Sequence, residues 1–348
     1  MNERFPSAAE HAEQDDQASR SERAPLTPEE SARRMDGMAE ELHAVSPFRR
    51  SMERGIETIR SPEGETFTIR KLAKPYEKVA KRTHDFMVEQ FGKEESETLM
   101  WFRHTIKEGI NDYHTVEKNG EVVAFSNTRC LELEPQEGKP QEAILTVWHI
   151  STEDALRNKG LASELYQSFY HDAAEKMRER NQTMVGVVGE AVDKVESFLN
   201  RMGRKRAYYE DADGNIREIP YQCPPVDMDS KTGEPLEEPV PEHVMIRMID
   251  DRQEIRTEDL LRMVEAIYFR EYLGVPDDYE SPEAYGLARQ SNADLLEGMR
   301  TALAAAKDGK VFFMSRQERE ARREALRGQG RDVYDTLTGM GKDVEAEG

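Results

Sequence analysis

With 348 residues, 34% of them charged and 37% hydrophobic, the chain is long for one ordinary domain and polar for a wholly globular one. A formal net charge of −21 opposes a phosphate backbone, which argues against nucleic acid and leaves cationic partners such as amines favoured. Two cysteines, Cys130 and Cys223, exclude a disulfide framework. No metal is expected from eight histidines without ligand spacing, and no run approaches the ~18 apolar residues of a membrane span, so a cytoplasmic location is the expectation.

Residues 1–65 read as a disordered or partly helical tail, too poor in large apolar side chains to offset the entropy of ordering. One island within it, Thr27-Pro28-Glu29-Glu30, has the form of a cap with proline at the first helical position. Met35, Met38, Leu42 and Val45 follow on one stripe. A domain over 66–250 begins with the alternating strand Thr66 to Leu72. Val79, Phe86, Met87 and Phe91 then recur at near-helical spacing up to Gly92. A second helix places Leu99, Phe102 and Ile106 on one face and stops at Gly109. The stretch 112–134 reads as a hairpin turning at Asn119-Gly120.

An apolar run from Ala143 ends near Thr152, and Arg157-Asn158-Lys159-Gly160-Leu161-Ala162 opens a helix after it. Thr183 to Glu190 is a second buried strand, followed by a short helix, a glycine stop and a strand through Tyr208 and Tyr209. A polar, proline-bearing excursion leads to a last strand, His243 to Asp250. Residues 251–348 read as a helical C-terminal extension with a frayed end. Thr257 is the expected cap, and Leu260, Val264, Ile267, Tyr268 and Tyr272 form a stripe needing cover, either from the body or across a homodimer or partner surface. A charged helix from Ser315 reads as solvated.

The turn before Leu161 carries the chemistry. A helix N-terminus offers unpaired backbone N–H groups and partial positive charge, so it can hold a phosphate. Gly160 permits close approach, small Ala162 keeps the first turn open, and Arg157 and Lys159 add charge at the rim.

On these residues the chain resembles the GNAT superfamily of acyl-CoA N-acyltransferases. Arg157, Gly160 and Ala162 fill its R/Q-x-x-G-x-G/A signature, and a later element survives degraded as Phe198-Leu199-Asn200-Arg201-Met202-Gly203. The resemblance covers about Thr66 to Asp250. It implies an α+β fold, a mixed, mainly antiparallel twisted sheet flanked by helices, in which the fourth and fifth strands splay apart. It also implies acetyl-CoA as cosubstrate and a primary amine as acceptor. Ile150 and Thr152 would meet pantetheine through their backbones. Arg157, Asn158, Lys159, Gly160, Leu161 and Ala162 would cradle the pyrophosphate, with Ser163 adding a hydroxyl.

The family's frequent tyrosine acid falls on Leu199, and the asparagine often found after the fifth strand falls on Val192 or Asp193. Candidate proton carriers are therefore Glu190 at the end of the fifth strand, His149 on the fourth, and Tyr208 or Tyr209 as a replacement acid. Arg201, Arg204, Lys205 and Arg206 form a basic cluster, read as a solvated helix end or a contact for the adenosine 3′-phosphate. The alternative to an enzyme is a non-catalytic acyl-CoA-binding or interaction protein on the same fold.

Overall fold

The structure, a computed structural model, describes residues 25–53, 56–93, 96–225, 227–329 and 331–335. The first 24 residues of the expected tail and the expected frayed end lie outside them. The chain divides after Gly189 into two units, Pro28–Gly189 and the residues from Glu190 onward.

In the first unit, helix α1 (Pro28–Val45) buries Met35, Met38 and Leu42, while Val45 at its end stays exposed. Ser31 donates to the Met184 carbonyl at 2.8 Å, and Asp36 pairs with Arg178 and His171. Strands β1 (Arg49–Glu53) and β2 (Ile56–Arg60) follow, and β2 pairs with β3 (Thr66–Lys71). Residues 28–45, 49–53 and 56–60, expected as tail, are thus folded into a helix and two strands. The polar average of the segment hides the fact that its few large apolar residues gather on buried faces, Phe48 and Ile59 among them.

Helices α2 (Lys78–Phe91) and α3 (Leu99–Glu108) come next, the second capped by Thr98, whose hydroxyl accepts from the Trp101 N–H at 3.2 Å. β4 (Asp112–Lys118) and β5 (Glu121–Glu132) form the expected hairpin; Asn119 and Gly120, at φ of 54° and 84°, make the left-handed turn between them. β6 (Glu142–Thr152), helix α4 (Leu161–Arg180) and β7 (Thr183–Ala191) complete the run. The strands lie in sequence order, and every neighbouring pair is antiparallel except β6 and β7, which α4 connects as a parallel crossover. Successive residues Ala124 and Phe125 belong to different hydrophobic clusters. One contains Leu161 and Leu165 of α4, the other Phe86 and Phe102 of α2 and α3, so each sheet face carries its own helices.

In the second unit, α5 (Asp193–Arg201) leads to β8 (Lys205–Glu210), which pairs antiparallel with β9 (Ile216–Glu218) and with two later strands. The excursion after β8 is anchored: Asp211 Oδ1 accepts from the Asp213 and Asn215 N–H groups, and Ile216, Ile219 and Tyr221 are buried. Short strands β10 (Gln222–Cys223) and β11 (Val240–Pro241) pair before β12 (His243–Met248) joins β8.

The C-terminal residues are more than a helical extension. β13 (Glu254–Arg256) pairs with β14 (Lys310–Met314), and β14 pairs with β8, so they share a sheet with the residues before Asp250. Helix α6 (Thr257–Ile267) runs into a π-turn at Tyr268–Tyr272. Its N-cap is Arg256, without a side-chain cap, and Thr257 is the first helical residue instead of the expected cap. Leu260, Val264, Ile267 and Tyr268 are buried within this unit, against β13, β14 and α7 (Pro282–Leu303). Covered by its own chain, the stripe no longer calls for a homodimer. Helix α8 (Arg316–Arg327) is fixed by a capping box between Ser315 and Glu318 and exposes most of its charges, but buries Arg319 and Leu326.

Candidate active site

The β6–α4 connection has the shape an anion needs. After Thr152 the chain makes a 3₁₀ turn at Asp154–Leu156, then passes through Asn158 at φ 63° and Gly160 at φ 94° into Leu161. Leu156 and Leu161 are buried and pin the turn from both ends, while Arg157, Asn158 and Lys159 are exposed. No side chain caps α4, so the N–H groups of Leu161, Ala162 and Ser163 open its positive end. Arg157 pairs with Asp154 at 2.7 Å and reaches the Thr152 carbonyl at 3.4 Å.

Gly160 has a neighbour that the sequence reading misses. A Cβ there would lie 3.4 Å from Phe48 Cε2 and Pro47 Cδ, so the segment entering β1 packs on the turn. The same segment fastens to Glu164 in the first turn of α4: Ser46 hydrogen-bonds one carboxylate oxygen and Arg50 Nε donates to the other at 2.9 Å. A Cβ at that distance would make ordinary contact, so it is the positive φ that favours glycine here, independently of any ligand.

The splay is present on β6. Its pairing with β7 runs from Glu142↔Thr183 to Thr146↔Val188 and stops, whereas its pairing with β5 continues to Thr152↔Ala124. Ile150 and Thr152 lie in this last part, paired to Ser126 and Ala124 of β5. A register shift pairs Thr128 with Val147 and Asn127 with His149, so Trp148 is the extra residue of a bulge. The bulge breaks the simple alternation expected around His149 and leaves the Trp148 and His149 rings 5.9 Å apart.

His149 faces α2 and packs its ring 4.6 Å from that of Phe91. Burial pulls its imidazole down to about 4, and its Nδ1 is buried without a partner. It is neutral at physiological pH and a weaker base than an ordinary histidine.

Opposite His149, Asn127 donates to a carboxylate that the sequence reading did not single out. Glu97, just before α3, accepts from Asn127 Nδ2 at 3.2 Å, Asn111 Nδ2 at 3.3 Å and the Tyr113 hydroxyl at 2.8 Å. Burial raises its carboxyl above the ordinary value, opposed by those donors and by the charge of Arg129. Asn127 is itself buried and its Oδ1 has no partner. Asn111 lies just before β4, Tyr113 on it and Asn127 on β5, and no spacing along the chain joins them to Glu97.

The other candidates stand in the second unit. Glu190 is half-buried and accepts from the hydroxyls of Tyr221 and Tyr272, one on each oxygen. Burial raises its carboxyl, with the two tyrosines opposing. Cys223 and Glu242 bring ligand atoms within 4.8 Å of it and of each other, a grouping that spacing along the chain could not reveal. Burial pushes the Cys223 thiol far up, and both Glu190 oxygens already serve the tyrosines, so the group reads as a hydrogen-bonded cluster.

Tyr208 is fully buried, accepting from Arg319 at 2.9 Å and donating to Asp335 at 3.0 Å; burial raises its phenol. Tyr209 is also buried, and Leu199 packs with Ala191 and Met245 in a small core. The basic cluster is neither a solvated helix end nor a phosphate site at its centre. Arg204 and Arg206 are each 1% exposed, and Arg206 pairs with Asp193, Glu196 and Glu218.

No protein-family model matches the chain, and no curated protein matches it. Solved structures do. The chain is similar to NAA60 of Arabidopsis thaliana in complex with a bisubstrate analogue, at 10% identity over 52% of this chain and 99% of that one, with a TM-score of 0.36. It is similar to the aminoglycoside N-acetyltransferase AAC(6′)-Iy in complex with CoA, at 10% identity over 41% and 90% with a TM-score of 0.32. A ribosomal-protein-alanine N-acetyltransferase from Brucella melitensis matches at 18% identity over 39% and 88%, with a TM-score of 0.29. Among the described residues, no helix is long and apolar enough to cross a membrane. The strand order, the single parallel pair and the crossover helix make the Pro28–Gly189 unit a GNAT-like mixed sheet flanked by helices.

Proposed function

We propose that this chain is an N-acyltransferase that moves an acetyl group from acetyl-CoA to a primary amine, with the thioester bound on the Pro28–Gly189 unit. The observation that carries the reading is the uncapped start of α4 at Gly160, directly after a strand whose pairing with β7 ends at Thr146. The first-turn N–H groups of Leu161, Ala162 and Ser163 receive the pyrophosphate, with Arg157 and Lys159 beside them. Pantetheine lies along β6 past Thr146, where Ile150 and Thr152 offer backbone groups as an adjoining strand would. Holding thioester and amine together supplies much of the rate.

The amine, an ammonium in water, must lose a proton before attack. The net charge of −21 favours its approach. A non-catalytic acyl-CoA-binding protein is the second reading, favoured by one observation: Leu199, where the resemblance implies a tyrosine acid, is a core residue. Two measurements separate them. Mass spectrometry of the protein purified under native conditions should find CoA or an acyl-CoA retained. Thiol release from acetyl-CoA, followed over a panel of primary amines, should then exceed the rate without amine. Retention of CoA with no release to any amine favours the binding protein, and absence of CoA binding removes both readings.

A further inference from the structure

Resting on the acyltransferase reading, we propose that Glu97 is the proton acceptor for the amine, with Asn111, Tyr113 and Asn127 as its positioning residues. Three observations converge on it. Glu97 is a carboxylate whose only hydrogen-bond donors among the described residues are neutral, two amides and a phenol, so no salt bridge holds it ionised. It is half-buried whereas Asn127 is buried, so of the two it is the carboxylate that an incoming amine can reach. Asn127 also ties it to the thioester edge: it is paired across the sheet with His149, next to Ile150 and beyond the last β6–β7 pair.

Two further polar atoms await partners at this place. Asn127 Oδ1 and His149 Nδ1 are both buried without a hydrogen bond on the face that Phe91 covers. Buried polar atoms are nearly always satisfied, and a pair left open beside a carboxylate marks a polar site rather than a core. The charged and titratable groups around Glu97 are Tyr113 from β4, Arg129 from β5 and His84 from α2, whose Nε2 lies 2.8 Å from the Glu97 carbonyl.

The step balances as follows. Glu97 takes one proton from the ammonium, and the freed lone pair attacks the thioester carbonyl carbon. The C–N bond forms, the C–S bond breaks, and the departing thiolate takes the second proton that the nitrogen sheds. Glu97 then passes its proton to water. Burial, which raises the carboxyl, brings it closer to the working pH of a base.

The test uses acetyl-CoA, the amine panel and, independently of any acceptor, the slow hydrolysis of acetyl-CoA, in which water is the nucleophile and needs the same base. Glu97→Gln should lower thiol release at neutral pH by ~100-fold or more, with the deficit narrowing in alkali, where the amine is already free. CoA binding by calorimetry should be unchanged. Asn127→Ala removes a donor that holds the carboxyl down, so the acidic limb of its pH profile should move to higher pH, a shift that a merely structural role would not give. Glu97→Asp keeps the carboxylate and should keep the acidic limb at a reduced rate, which decides the matter if Glu97→Gln fails to fold. A folded Glu97→Gln with the wild-type rate and limb, or a folded Glu97→Asp without the limb, would overturn this assignment and leave the acyltransferase reading standing. Wild-type protein that binds CoA yet releases thiol to neither amine nor water would overturn both.

Discussion

Glu196, in the unit from Glu190 onward, is buried between two guanidiniums: Arg206, and Arg319 at 3.0 Å. Glu97, in the Pro28–Gly189 unit, takes its hydrogen bonds among the described residues from amides and a phenol alone, with the Arg129 charge acting on it from farther off. Both carboxylates are well supplied with donors, yet the supply differs in kind. Guanidinium partners make a buried charge cheap to keep and useless for exchanging protons. Neutral donors hold geometry while leaving the charge free to be gained or lost. Glu164 at the start of α4, paired with Arg50, follows the first pattern, and Glu190 with its two tyrosines follows the second. Each unit thus has carboxylates of both kinds, and the chemistry is to be sought where charge is not cancelled.

The largest effect expected from this contrast is on stability. Glu196→Gln leaves Arg206 and Arg319 short of their shared buried partner, and losing one side of such a pair costs about 3–5 kcal/mol. The midpoint of urea unfolding should fall accordingly; an unchanged midpoint would show that Glu218, Asp193 and Asp335 carry the network without it.

A smaller effect separates the patterns by pH. Glu97 and Glu190 both have raised carboxyls, so the folded state binds more protons than the unfolded one just above the ordinary value of 4.5. Stability on their account is greatest in acid and is lost as pH rises through the folded values. Glu97→Gln and Glu190→Gln should each flatten that loss. His149 works in the opposite sense. Its imidazole is lowered from 6.5 to about 4, so its contribution is present above 6.5 and is lost as pH falls from there towards 4. His149→Phe should remove this acid-side loss. Unfolding midpoints measured across that range check all three, and parallel curves for wild type and variant would contradict the assigned direction.

Glu190 was the first choice for the base from its place at a strand end. Activity distinguishes it from Glu97: Glu190→Gln should retain turnover if both its oxygens serve Tyr221 and Tyr272, and a loss matching Glu97→Gln would restore it as the proton carrier.

Gly160→Ala should cost about 1–2 kcal/mol, because its backbone is left-handed, while its Cβ would only touch Pro47 and Phe48. That backbone strain makes any Gly160 variant an ambiguous reporter of CoA binding.

Local signals made much of the first unit legible. Asn119-Gly120 fixed a hairpin, Leu99, Phe102 and Ile106 up to Gly109 gave a helix, and the apolar run into Arg157–Ala162 marked strand, turn and helix in order. What the sequence concealed was long-range. Composition averaged over 65 residues hid the buried faces of α1 and β2 and the buried Phe48 between them. The basic run Arg204 to Arg206 looked solvated because its acidic partners Glu196 and Glu218 lie at a distance along the chain. The Glu97 cluster escaped notice for the same reason: its members come from two loops and two strands, and only the β5–β6 register brings Asn127 beside His149. Leu199 has no proton to give on its chemistry alone, and its place in the core with Ala191 and Met245 required the fold.

The account stands or falls on where CoA binds. Lys159→Glu reverses an exposed charge at the rim of the turn without touching the packing of Gly160, so its unfolding midpoint should stay within about 0.5 kcal/mol of wild type. Calorimetric titration of CoA into both proteins is the direct measurement. Loss of a charged contact to the pyrophosphate, worth roughly 1.5–3 kcal/mol, should weaken binding about tenfold or more in the variant. Equal affinity in the two proteins would place the cosubstrate elsewhere and contradict the proposed site.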